Sequence, residues 1–254
     1  MTALLQVQAS VPARSTLHRL IGRSPLSSDA RPWYWGALGE LTVGRVLAKL
    51  GPGWHVLHAV PVGEGDTDID HVVIGPGGVF TLNTKNHSGQ NVWVAGRTFM
   101  VAGQKQPHIP KAEAEAQRAQ RLLGRVLGGP VTVTPVLVVV EPKKITVRER
   151  PAQVVVVTAS EVVRWLRRQP QVLSTDQVNQ LSTAAARPGT WRNLPPEGCD
   201  LPALRLAFGG LDRTVRRARL VRSAWPIGLA GAGGVAALTV GPTLTATLVA
   251  HLLR

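Results

Sequence analysis

The stretch Gly65–Gly89, GDTDIDHVVIGPGGVFTLNTKNHSG, constrains the fold of this chain more than any other. Ile69–Ile74 and Val79–Lys85 are runs of strand length, rich in β-branched and apolar residues. Gly75-Pro76-Gly77-Gly78 between them is turn chemistry, because Gly supplies positive φ and Pro fixes its own. Two strands joined so closely pair as a hairpin. Side chains alternate along a strand, so Val79, Thr81, Asn83 and Lys85 share one face and Phe80, Leu82 and Thr84 the other. Paired in this way, Asp70 can share a face and an end with Asn83 and Lys85. An acid, an amide oxygen and a lysine converging at a sheet edge suit a divalent ion and a phosphate.

The flanking residues extend the pattern. Trp33–Leu50 carries Leu38, Leu41, Val46, Leu47 and Leu50 at helical spacing and is stopped by Gly51-Pro52-Gly53. Trp54–Val60 reads as a strand and Pro61–Thr67 as a loop, and after the hairpin Asn91–Val101 continues as strand around Ala95-Gly96. Lys111–Leu127 is a second helix. Val136–Val140 and Gln153–Thr158 read as buried strands, the first as a central strand covered on both faces. Ser160–Arg168, with Ser160 as N-cap, and Asp176–Ala186 read as further helices, and Arg187–Pro202 as a Pro-rich linker. The class expected is α/β with a mixed sheet flanked by helices.

IDHVVIGPGGVFTLNTK, preceded by GELTVGRVLAKLGPGWHVLH, resembles the nuclease-related domain (NERD), a branch of the PD-(D/E)xK restriction-endonuclease-like superfamily. The resemblance covers Trp35 to Arg168 and rests on motif order: a helix with Gly-Glu, Asp-His at a strand start, then xxK after a Gly-rich turn. It implies a restriction-endonuclease-like core and hydrolysis of phosphodiester bonds of DNA with Mg²⁺ or Mn²⁺. It makes Asp70 the principal metal ligand, Lys85 the catalytic lysine, and Glu40 a further metal-binding and catalytic acid on the first helix. Position 83, where the superfamily has its second acid, is Asn83, which offers a carbonyl oxygen but no charge. Asp68 shares the parity of Asp70 and is a candidate auxiliary ligand. His87, beyond the strand end, is a candidate phosphate contact beside Lys85. His71 alternates to the opposite face and reads as structural. Glu113, in the second helix, stands where the family often carries a supporting polar residue; with Gln117 and Gln120 it forms a stripe equally suited to solvent.

The chain has 254 residues, 29 basic and 15 acidic, for a net charge of +14. That bias favours nucleic acid or an anionic membrane surface as partner, although Ala, Gly, Pro, Val and Arg richness also follows from GC-rich coding. Cys199 is the single cysteine, which excludes an intrachain disulfide and a thiolate zinc cluster. Met1–Gly22 lacks the basic start and long apolar core of a secretory signal.

Ser223–Leu253 contains no Asp, Glu, Lys or Arg. Trp225–Ala250 exceeds the ~20 residues that span a bilayer as a helix, and Arg213, Arg216, Arg217, Arg219 and Arg222 precede it. Positive residues stay on the cytoplasmic side. The layout expected is therefore a single-pass C-terminal anchor at the cytoplasmic face of the cell membrane. Gly241-Pro242 leaves the alternative of two shorter apolar helices in a cytoplasmic protein. The domains expected are a flexible arm over 1–32, a nuclease-like domain over 33–170, a helical and Pro-rich linker over 171–222 and the tail over 223–254. A membrane-tethered nuclease is the first functional reading. A catalytically inactive nucleic-acid-binding module and a membrane-associated scaffold are the others, and the oligomeric state is left open.

Overall fold

The computed structural model describes residues 2–62, 67–192, 203–204 and 206–225. By internal packing the chain forms two units, Met1–Trp33 with Asp200–Arg254, and Tyr34–Cys199. In the first, α1 (Thr2–Ala9) and α2 (Thr16–Leu20) come before a helix over 206–225. Ser15 Oγ accepts the His18 amide at 3.3 Å, an N-cap at the start of α2. Trp225 Nε1 donates to the Leu20 carbonyl at 2.8 Å. Gly22, at φ 69°, lies against the long helix so closely that a Cβ would stand 2.5 Å from the Ala218 carbonyl oxygen. The residues read as a flexible arm therefore hold two helices, tied to the 206–225 helix. From residue 226 onward the apolar segment expected to cross the membrane lies outside the described residues. Among those described, no helix is long and apolar enough to cross a membrane.

The second unit contains the Tyr34–Leu47 part of α3 (Ala30–Leu47), then β1 (His55–Pro61), β2 (Asp68–Gly75) and β3 (Gly78–Asn86). Next come β4 (Asn91–Ala95), β5 (Thr98–Val101), β6 (Gln104–Gln106), α4 (His108–Leu127), β7 (Val133–Val140), β8 (Lys144–Glu149) and β9 (Val155–Thr158). Short helices α5 (Val162–Arg167), α6 (Thr175–Ala185) and α7 (Pro188–Trp191) finish it. The class is α/β, but the single mixed sheet expected is two mixed sheets. One has the order β1-β2-β3-β7-β9, antiparallel through β3 and parallel from there; the other has the order β6-β5-β4-β8. The second sheet arises because the chain turns back at Ala95-Gly96, pairs β4 with β5, and later receives β8 parallel to β4.

The hairpin forms as its residues dictate. Gly75 pairs with Gly78 around Pro76-Gly77, and Gly78 takes φ 122°. Gly75 also makes room for an indole: a Cβ there would stand 2.3 Å from Trp54 Cε3. The alternation along β3 separates two cores. Phe80 and Leu82 pack with Val43 and Leu47 of α3 and Val162 and Leu166 of α5, whereas Val79 packs with Ala116, Ala119 and Leu123 of α4. β7 is Val-rich because both its faces are covered and it runs between β3 and β9.

Two boundaries differ for local reasons. α5 starts at Val162 with Glu161 at its N-cap, while the Ser160 hydroxyl bonds Thr158 Oγ1 at 2.9 Å instead of capping. α6 begins behind a capping box in which Ser174 Oγ accepts from Gln177 N and the Gln177 side chain accepts from Ser174 N. Residues 171–192, read from the sequence as the start of a linker, supply Val178, Leu181, Ala185 and Trp191 to the core under α4. Positions 193–202 and 63–66, which include the rest of that linker and Asp66, lie outside the described residues.

Candidate active site

The site is built where the large sheet divides. β2 and β3 pair from Gly75 and Gly78 as far as His71 and Leu82. Beyond that rung β2 stays with β1, down to Asp68 opposite Pro61, and β3 stays with β7, out to Asn86 opposite Val140. The two strands thus part like a fork. Asp70 is the first β2 residue past the closed rung, and its Oδ2 accepts the Thr84 amide at 2.5 Å. A side chain has replaced the ladder bond that the parted backbones no longer make.

α4 lies over this face. Its buried stripe, Ala112, Ala116, Ala119 and Leu123, brings Glu115 above β3. Asn83, only 5 % exposed, donates from Nδ2 to both Glu115 carboxylate oxygens, at 2.6 and 2.8 Å. A carboxylate can only accept, so this contact fixes which way the amide points. Asn83 Oδ1 is left buried with no hydrogen-bond partner in the protein. An unpaired buried carbonyl is costly and marks a place where a donor or a cation belongs.

α3 reaches the same end of the sheet from the other side. Asn86 Nδ2 donates to the Trp35 carbonyl at 2.9 Å, and a Cβ on Gly39 would stand 3.1 Å from Asn86 Cβ. Gly39 lets the helix approach β3 closely, and the adjacent Glu40 comes within electrostatic reach of Asp70, Asp68 and Lys85. Burial, with the Asp70 carboxylate next, pushes Glu40 up to about 7. Burial likewise raises Asp70, against the pull of Lys85 and the Thr84 amide, and raises Asp68 and Glu115. Four acids crowded together resist ionisation, as carboxylates sharing a low-dielectric site must.

Lys85 is the positive centre of the group. Its charge acts on Glu40, Asp68, Asp70, Glu115, His87 and His108. His87, the candidate phosphate contact, faces His108 at the start of α4, with Nε2 atoms 3.2 Å apart. Burial and then Lys85 lower both imidazoles, His108 to about 3, so the pair is neutral at pH 7. His71 turns to the α3 side of the sheet, where it meets His58, Nδ1 to Nδ1 at 2.8 Å, and the Glu40 backbone, as its alternation from Asp70 requires. Glu113 is not in the site; it pairs with Arg97 at 2.8 Å. Glu115, two residues on, is the helix acid that sequence reasoning missed. Its signal is a carboxylate three residues after Ala112 and four before Ala119, on the small-residue face of a helix that must meet a sheet.

The donors fit a hard divalent cation. Asp70 and Glu115 are carboxylates, and Asn83 Oδ1 is a buried, unpartnered carbonyl oxygen, all ligand types that Mg²⁺ and Mn²⁺ favour. Among the described residues no three His, Cys, Asp or Glu side chains converge to hold an ion by themselves.

Residues 35–140 match the family model of the nuclease-related domain. The chain is also similar to an uncharacterized protein of Bacillus anthracis, 44 % identical over 79 residues, which is 28 % of this chain and 36 % of the relative. The similarity thus spans little more than a third of that protein's length. No solved structure matches the chain.

Proposed function

We propose that the Tyr34–Cys199 unit is a metal-dependent phosphodiesterase acting on DNA. The observation that carries this reading is the fork between β2 and β3, which gathers Asp70, Asn83 and Lys85 under Glu115 inside a nuclease-related domain. The net charge of +14 favours a polyanionic substrate.

In this reading Asp70, Asn83 Oδ1 and Glu115 hold Mg²⁺ or Mn²⁺, with Glu40 beside them. The ion supplies Lewis acidity and positive charge next to the phosphodiester. Lys85 carries its ammonium to the same phosphate and stabilises the negative charge that builds on the equatorial oxygens. Glu40, on the α3 side of the same cluster, takes a proton from the attacking water. The water oxygen bonds to phosphorus, the bond from phosphorus to the leaving sugar oxygen breaks, and that oxygen is protonated from solvent. Phosphomonoester and hydroxyl ends result. Neutral His87, bonded to His108 past the end of β3, is a further contact for the DNA phosphate in this reading. Full-length protein incubated with supercoiled plasmid is expected to nick it in Mn²⁺ and to stop on adding EDTA. DNA binding without any nicking in Mg²⁺ or Mn²⁺ would leave the inactive-module reading in its place.

A membrane tether is the second part of the proposal. The 206–225 helix carries the five arginines and exposes Leu206, Leu220 and Trp225, with Leu17 and Leu20 exposed on α2 of the same unit. Basic and apolar groups side by side suit an anionic bilayer surface. Full-length protein is expected to stay with membranes after carbonate washing, and a chain ending at Trp225 to be released. Release of the full-length protein would remove the tether.

A further inference from the structure

We propose that Glu115 on α4 supplies the second carboxylate of the metal site, the charge that Asn83 lacks, so that the acid has moved from strand to helix. The proposal rests on the metal-dependent reading above and names a residue in it. Three observations meet at this point. Asn83 directs its Nδ2 to both Glu115 oxygens, so the carboxylate lies directly beside the strand position that the motif order assigns to an acid. The same contact leaves Asn83 Oδ1 buried with no hydrogen-bond partner in the protein. Glu115 is within electrostatic reach of Asp70 and Lys85, the two other members of the cluster.

A plain structural role explains these facts less well. An exposed Glu on a helix gains nothing from being drawn over a sheet and partly buried, where ionisation is penalised. The Asn83 amide gives it hydrogen bonds but no positive charge. A cation offsets that penalty, and each carboxylate oxygen keeps a lone pair that the Asn83 amide does not occupy. Asn83 then has two tasks. It orients Glu115 through Nδ2 and offers Oδ1 as a neutral donor. The total ligand charge, from Asp70 and Glu115, equals that of a site with both acids on the strands.

The test is Mn²⁺ binding by the full-length protein without DNA, followed by electron paramagnetic resonance of the free ion, with plasmid nicking measured alongside. Glu115→Gln keeps an oxygen to accept from Asn83 and removes only the charge. It is expected to lower Mn²⁺ affinity at least about tenfold, the lower end of the cost of altering even the groups that only orient a metal's ligands. Asn83→Asp combined with Glu115→Gln returns the carboxylate to the strand and places the amide on the helix. This exchange is expected to restore Mn²⁺ affinity to near the starting value. Unchanged affinity in Glu115→Gln overturns the proposal. So does loss in both the single and the exchanged protein, which would mark Glu115 as structural, and so does absence of Mn²⁺ binding in the unaltered chain. Binding that follows the carboxylate with no nicking in any version upholds Glu115 as a ligand while the phosphodiesterase reading fails.

Discussion

Lys85→Met is expected to slow plasmid nicking at saturating Mn²⁺ by roughly 100- to 1000-fold, the usual cost of removing one preorganised charge-stabilising group. Mn²⁺ affinity at pH 8 is expected to stay the same or to rise. The two outcomes separate because Lys85 is no ligand. It acts through its charge, on Glu40, Asp70 and Glu115 alike. Removing it takes away one cation that competes with the bound ion, and methionine keeps the packing of the aliphatic stem. On the proposed mechanism, what is lost is the ammonium that would meet the phosphate as charge grows on its oxygens. Single-turnover nicking with metal in excess reads that step alone. A rate equal to that of the unaltered protein would remove Lys85 from the chemistry, and a collapse of Mn²⁺ binding would show that the substitution had disturbed the fork itself.

Glu40→Gln is expected to make the metal-free protein more stable at pH 8 than the unaltered chain, and equally stable at pH 4. Glu40 titrates at about 7 in the folded protein, raised first by burial and then by Asp70, against 4.5 for a free carboxyl. Between those values the folded chain keeps a proton that the unfolded chain has released. Stability therefore falls as pH rises from 4.5 to about 7 and is level above that. The full difference amounts to ~3 kcal/mol at most. Glutamine has no charge to bury, so the variant escapes the decline. His71 and His108, both lowered to about 3 by burial, act in the opposite sense and weaken the fold as pH drops below 6.5. They are common to both proteins, so the difference between the two melting-temperature profiles isolates Glu40. Parallel profiles would mean that Glu40 is not buried beside Asp70 in solution.

The hairpin was legible because its signals agree at every level. Gly75 to Gly78 permits only a turn, the β-branched runs permit only strands, and parity then puts Asn83 and Lys85 on one face. The helices α3 and α4 were legible from their apolar spacing, though α4 begins at His108 and α3 at Ala30, where Ser27 Oγ caps the Ala30 amide at 3.0 Å. The second sheet was not legible. β4, β5, β6 and β8 are three to six residues long, and which short strand pairs with which depends on contacts distant in sequence. Nor was Glu115. In one dimension it is one of two acids two residues apart, and only the docking of α4 decides that Glu113 turns to Arg97 and Glu115 to Asn83. The packing of α6 and α7 on the core was hidden for a similar reason, since a run rich in Gln, Ser, Thr and Pro reads as linker until its few apolar residues find α4.

The parting of β2 from β3 has a mechanical meaning. Asp70 belongs to one leaf of the sheet and Asn83 with Lys85 to the other, and past the last closed rung the Asp70–Thr84 contact spans the gap. Anything gripping both leaves works as a rivet. A cation held between Asp70 and Asn83 would bind only the closed spacing, so its binding energy would be shared with the fold. Such an ion would hold the two leaves together as well as complete the site.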